Sequence, residues 1–194
     1  LKLALGLFGV WRLRRRGIAE APGEWRAAVR RIAEQLQVRR AIGLVESAAV
    51  EVPTVIGWLR PVILLPASTV LQLSPAQLEA LLAHEIAHIR RHDYLVNLMQ
   101  SVVETLLFYH PAVWWVGRAL RVEREHCCDD LAVSVCGDAA GYARALTRLE
   151  EIRNGAPSLA LALGADGGSL LGRVRRLLLR ESVGTASPRT SWLA

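Results

Sequence analysis

At 194 residues the chain is long enough for one domain with a real core, plus appendages. Its hydrophobic content of 52% is high for a soluble protein and points to contact with a membrane. The formal charge of +6 rests on arginine, since Lys2 is the sole lysine among 24 basic residues; the arginines are dispersed without a nucleic-acid motif, so direct nucleic-acid binding is not expected. Cys127, Cys128 and Cys136 form no repeated C-x-x-C pattern. An odd count fits reduced thiols in a cytosol better than a disulfide framework.

The chain opens on an apolar run, Leu1–Trp11, followed by Arg12, Arg14, Arg15 and Arg16. A bilayer span takes about 20 residues. Residues 1–11 therefore read as the truncated end of a transmembrane helix, with the arginines marking its cytoplasmic side. A signal peptide would carry its charges before the apolar run. Residues 12–40 form a basic juxtamembrane segment, and Glu24–Arg40 within it reads as an amphipathic helix. Between Gly43 and Pro66 the apolar runs Ile42–Val50 and Val62–Leu65 flank a segment with Pro53, Gly57 and Pro61. That texture predicts short strands with a turn.

Ser74-Pro75-Ala76-Gln77 then announces a helix: Ser as N-cap, Pro at the first helical position, Gln closing a capping box. Leu78, Leu81, Leu82, Ile86 and Ile89 supply its apolar stripe. Within it lie His84-Glu85-Ile86-Ala87-His88. Positions i and i+4 share a helix face, so the two imidazoles can hold one Zn²⁺, and Glu85 can act as base toward a water on it. The bland alternative is a pair of core histidines, but a core helix has no need of His, Glu and His together.

Residues 94–120 are largely apolar, yet they hold Asn97, Gln100, Glu104 and His110, with Pro111 as an interruption. A simple membrane span rarely carries so many polar groups. The expectation is a helix to about Tyr109, a break, and a second helix carrying Trp114 and Trp115, which fill the core or sit at a membrane interface. His110 reads as a turn or core histidine rather than a ligand; His92 and Asp93 read as capping groups or as supports for a ligand. Farther on, Glu125 and Asp129 are four apart and share a helix face. Glu125 is the candidate third metal ligand, and Asp129 a receiver for the second N–H of a ligating histidine. Glu123 stays open as a ligand on spacing alone, and a solvated Arg/Glu helix is the plain alternative.

A helix from Ala139 to about Arg153 completes a core assigned to residues 41–153. Residues 154–194 read as a flexible linker, Gly/Ala-rich over 158–168, then a basic amphipathic helix, Ser169–Arg180, suited to an anionic membrane surface, then a disordered tail.

Taken together, H-E-x-x-H at 84–88, Arg90-Arg91-His92-Asp93, Phe108-Tyr109-His110-Pro111-Ala112-Val113-Trp114-Trp115 and Glu125-His126-Cys127-Cys128-Asp129 resemble the BlaR/MecR-type membrane metallopeptidases, relatives of the gluzincin CAAX-processing proteases. The resemblance covers about residues 35–150, with four motifs in the family's order. It implies an α+β, mostly helical, zincin-like domain with a small sheet, attached to membrane helices. It implies one catalytic zinc on His84, His88 and Glu125, with Glu85 as base, and favours Glu125 over Glu123. Asp129 matches the aspartate that supports a ligating histidine. Such peptidases commonly present an edge strand to the substrate backbone, and Thr54–Leu65, with Thr54, Val55 and Ile56 foremost, is the candidate; a small sheet that only covers the core is the equal alternative. The Ser-x-x-Lys motif that covalent β-lactam binding requires is missing from this chain, so β-lactam recognition does not carry over.

The expectation is thus a zinc endopeptidase on the cytoplasmic side of a bacterial cell membrane. It would act in signal transduction on a protein or peptide substrate, either itself (between Ala156 and Arg180, a window whose plain alternative is a tether to a further membrane helix) or a transcriptional repressor. The alternatives are a zinc-stabilised signalling scaffold without catalysis and a protease for membrane-protein quality control.

Overall fold

The computed structural model describes residues 18–48, 50–57, 59–154 and 167–185. The apolar start, the arginine cluster at 12–16, most of the Gly/Ala-rich stretch and the last nine residues lie outside the described residues.

The architecture is α+β and mostly helical, with one four-stranded sheet. Strands β1 (Ile18–Glu20), β2 (Gly43–Ser47), β3 (Thr54–Ile56) and β4 (Val62–Pro66) lie in the order β1-β2-β4-β3. β1 runs antiparallel to β2, β2 parallel to β4, and β3 antiparallel to β4, with Val55 opposite Ile63. Ile63, Leu64 and Leu65 are fully buried, as expected for a continuous apolar run in an inner strand. The expected edge strand at Thr54–Leu65 therefore narrows to Thr54–Ile56. Val62–Leu65 is an interior strand, because both of its edges are paired. Between them Gly57 adopts φ +82°, and a Cβ there would stand 2.9 Å from the Arg60 carbonyl oxygen, so the turn requires glycine.

Helix α1 (Gly23–Gln35), which the sequence places in a juxtamembrane segment, buries Val29, Ile32 and Ala33 against the domain. The short α2 (Ala67–Gln72) follows β4 directly. Helix α3 (Pro75–Arg90) is the hub. Its capping box is complete: Gln77 N–H donates to Ser74 Oγ, and Ser74 N–H donates to Gln77 Oε1 at 3.0 Å. Leu78, Leu81, Leu82, Ile86 and Ile89 are all buried, each worth on the order of 1.5–3 kcal/mol over exposure. α1, α5 (Pro111–Cys136) and α6 (Ala139–Asn154) all pack on α3.

Where α3 ends, His92 takes a left-handed conformation at φ 56° and turns the chain into α4 (Asp93–Leu106). Histidine tolerates this region better than most side chains. The predicted break before Pro111 is present: His110 caps α5, its Nδ1 accepting from Ala112 N–H at 3.3 Å. Gly137, at φ 71°, stops α5. The last described helix, α7 (Gly167–Thr185), packs on α6 and α5 and buries Leu177. It continues five residues past Arg180, into the segment expected to be disordered; no proline intervenes before Pro188 to stop it. Among the described residues no helix is long and apolar enough to cross a membrane.

Candidate metal centre

One turn of α3 separates His84 from His88, and both rings point at α5. His84 Nε2 and His88 Nε2 are 3.2 Å apart. Glu125 reaches toward both, with carboxylate oxygens 3.6 Å from His84 Nε2 and 4.0 Å from His88 Nε2. Donors around a tetrahedral Zn²⁺ with Zn–N bonds of about 2.0–2.1 Å lie about 3.3 Å from one another. The three side chains therefore fit one such ion with small adjustments. Glu123, in contrast, has a side chain 74% exposed and lies against His126, at 3.8 Å.

The outer nitrogens of the two histidines are anchored differently. His88 Nδ1 lies 2.6 Å from Asp93 Oδ2, a bond set up by the left-handed turn at His92. His84 Nδ1 lies 2.8 Å from the Tyr142 hydroxyl, which donates to Asp129 Oδ1 at 2.7 Å. Asp129 itself stands 3.4 Å from that nitrogen, so its hold on His84 runs chiefly through the tyrosine. Assigning the Nδ1 protons to these acceptors leaves both Nε2 lone pairs facing Glu125.

A third contribution comes from α7. Arg173 donates from Nε to Asp129 Oδ2 at 2.9 Å and reaches Glu125 Oε2 at 3.3 Å. Asp129 is completely buried, which raises its carboxyl, but His84 and Arg173 together outweigh burial and hold it well below the usual range. Burial raises the Glu125 carboxyl, but His84 and Arg173 outweigh that and bring it down to about 2. Burial pushes the Glu85 carboxyl up, and the two histidines offset this only partly. Glu85, Glu125, Asp93 and Asp129 surround two imidazoles, with Arg173 paired to Glu125 and Asp129 and Arg91 3.7 Å from Asp93, and the four carboxylates against two guanidinium groups leave an anionic surplus that favours a cation.

A second group of donors, His88, Asp93 and Cys128, shares His88 with the first. Cys128 Sγ lies 3.3 Å from His88 Nδ1 and 3.4 Å from Asp93 Oδ2. Burial and the Asp93 charge drive this thiol far up, so it stays protonated and serves as a donor behind His88 rather than as a thiolate.

A cleft of about 300 Å³ opens beside Glu85, His88 and Glu125. Thr54 and Val55 of the edge strand line its far side; Ile56 is buried beneath them. His110 stays away from the cleft as a helix cap. Spacing within the chain gave no sign of Tyr142 or Arg173, which approach from other helices; the arginine-rich pattern of 169–180 suggested a lipid surface instead.

A family model described as BlaR1 peptidase M56 matches residues 3–177, and the chain belongs to that peptidase family. The chain is 25% identical to the regulatory protein BlaR1 of Bacillus licheniformis, over 80% of this chain and 26% of that protein. It is 24% identical to the methicillin resistance mecR1 protein of Staphylococcus aureus strain Mu50, over 60% of this chain and 18% of that one. It is 29% identical to protease HtpX homolog 2 of Methanosarcina acetivorans, over 45% of this chain and 40% of the other. The chain thus spans about a quarter or less of the length of the first two relatives.

Proposed function

We propose that this chain is the peptidase domain of a membrane-associated zinc endopeptidase that acts in signal transduction. The observation that carries the proposal is the convergence of His84 Nε2, His88 Nε2 and the Glu125 carboxylate within 4.0 Å of one another, beside a cleft that Glu85 also lines. These three side chains would hold the zinc. When bound, it supplies Lewis acidity, bringing the pKa of a coordinated water toward about 7.

The rest of the chemistry belongs to the protein. Glu85 accepts a proton from the water as its oxygen attacks the peptide carbonyl carbon, then delivers that proton to the amide nitrogen as the C–N bond breaks. Burial raises its pKa, the direction that helps a carboxylate take a proton and hold it until it is returned. Asp93 and the Tyr142–Asp129 pair keep the imidazoles oriented. The exposed edge of β3, at Thr54 and Val55, would bind the substrate backbone as an added strand. The substrate is a protein segment, the chain itself or a repressor, met at the cytoplasmic face of a bacterial membrane. Self-cleavage would fall within residues 156–180; in the described part of that window the segment must leave its helix first.

Glu85→Gln tests the reading. Peptide hydrolysis should fall by about 10²–10⁴-fold, while zinc content stays at the wild-type level. Undiminished hydrolysis would remove Glu85 from the mechanism and favour a scaffold role.

A further inference from the structure

The hairpin made by α4 and the first half of α5 is arranged inside out. Met99, Leu106, Phe108, Tyr109 and Trp115 are each at least 66% exposed, and most of the large exposed apolar side chains among the described residues belong to this hairpin. Most of its polar groups, in contrast, bond within it. Gln100 Nε2 donates to the Gly117 carbonyl at 2.9 Å and to Glu104 at 2.8 Å, and Glu104 also takes Arg121 at 2.7 Å. Ser101 and Thr105 return their hydroxyls to the carbonyls of Asn97 and Ser101. At the tip Trp114 Nε1 donates to the Phe108 carbonyl at 2.8 Å. Gln100 Oε1 is buried without a partner. Polar groups that are satisfied internally, beneath an apolar exterior, are what a nonpolar solvent demands of a polypeptide.

We propose that the tip of this hairpin inserts into one leaflet of an anionic lipid bilayer. The apolar surface covers both helices and the turn between them, so a continuous solvent matches it better than a partner of fixed shape. No Asp, Glu, Lys or Arg occurs from Thr105 to Gly117, and the first charge after the tip is the exposed Arg118. It stands seven residues beyond Pro111, about 10 Å along the helix axis, which agrees with the insertion depth of about 5–10 Å for interfacial helices. Trp114 and Trp115 lie just short of that level, where tryptophan favours the interface. Between Tyr94 and Val122 the one acidic residue is Glu104, neutralised by Arg121, so Arg118 presents positive charge to anionic headgroups.

Tyr94, Leu95 and Asn97 of α4 also line the cleft. An inserted hairpin would hold that cleft at the membrane surface, restricting its substrates to polypeptide segments near the bilayer. The proposal rests on the membrane-associated part of the proposed function and not on its chemistry.

The test is flotation with vesicles of phosphatidylethanolamine and phosphatidylglycerol. Wild type should float. The triple variant Leu106→Gln, Phe108→Gln, Trp115→Gln should bind at least about a hundredfold more weakly, given the apolar area removed from the lipid. Leu71→Gln, equally exposed but on α2, should float like wild type. Equal flotation of the triple variant would overturn the proposal. So would wild-type self-association that the triple variant abolishes, which would make the hairpin an interface between two copies. Hydrolysis of a short soluble peptide is measured alongside. If it is absent from every protein while the flotation difference persists, the peptidase reading fails and the hairpin proposal stands.

Discussion

Two histidines one turn apart share a helix but not their surroundings. His88 rests on Asp93, five residues on in the same stretch of chain; His84 rests on Tyr142, which α6 supplies from far along the sequence. Replacing Glu125 with alanine removes the carboxylate that faces both imidazoles, and zinc content measured on the purified variant should fall well below stoichiometric. Retained zinc would exclude Glu125 as a ligand. Tyr142→Phe deletes a buried hydroxyl bonded on both sides and leaves Asp129 and His84 each short of a partner. Supporting groups of this kind are worth about 10–100-fold in metal affinity, and competition against a chelating dye should show a loss in that range. An unchanged affinity would mean that Asp129, at 3.4 Å, orients the ring unaided.

Among the elements, α7 is the one whose face the sequence misassigns. Its arginines alternate with leucines in a pattern that suits an anionic lipid surface, yet Arg173 turns inward to Asp129 and Glu125, and Arg176 to Asp130 at 2.6 Å. Asp129 is wholly buried and depends on the Arg173 guanidinium. Arg173→Ala should therefore cost about 3–5 kcal/mol in urea unfolding, the scale for stranding a buried charge. Arg175→Ala, on the exposed face of the same helix, should stay within about 0.5 kcal/mol of wild type. Equal effects from the two substitutions would show that α7 is held by its apolar face alone, through Leu177.

For the molecule as a whole, a metal held by His84, His88 and Glu125 would tie α3 to α5, while α6 and α7 pack behind the candidate site. A cation bound only by the folded chain stabilises it by mass action, about 2.7 kcal/mol at a hundredfold excess over Kd. Chelation should therefore lower Tm, zinc should restore it, and Glu85→Gln should respond like wild type if that side chain is the proposed base rather than a ligand. A Tm indifferent to chelator would argue against a metal bridging these helices.

The sequence by itself was enough for whatever lies within one helix or one turn. The capping box at Ser74, the i, i+4 pair His84 and His88, the break at Pro111 and the short strands around Gly57 are local rules, satisfied by residues within a few positions of each other. Glu125 and Asp129 on one face are local too, which made them candidates beside the histidines; the family resemblance then favoured Glu125 over Glu123. Tertiary structure alone decided that β3 is an edge strand and β4 is not, because pairing depends on the order β1-β2-β4-β3 rather than on composition. It also decided where each amphipathic face goes. A stripe of leucines and arginines states that a surface will be covered, not by what: α1 and α7 cover theirs with the core, while the α4–α5 hairpin leaves its own exposed. Tyr142 and Arg173 reach the site across 58 and 44 residues of chain from His84 and Asp129, and only packing brings such groups together.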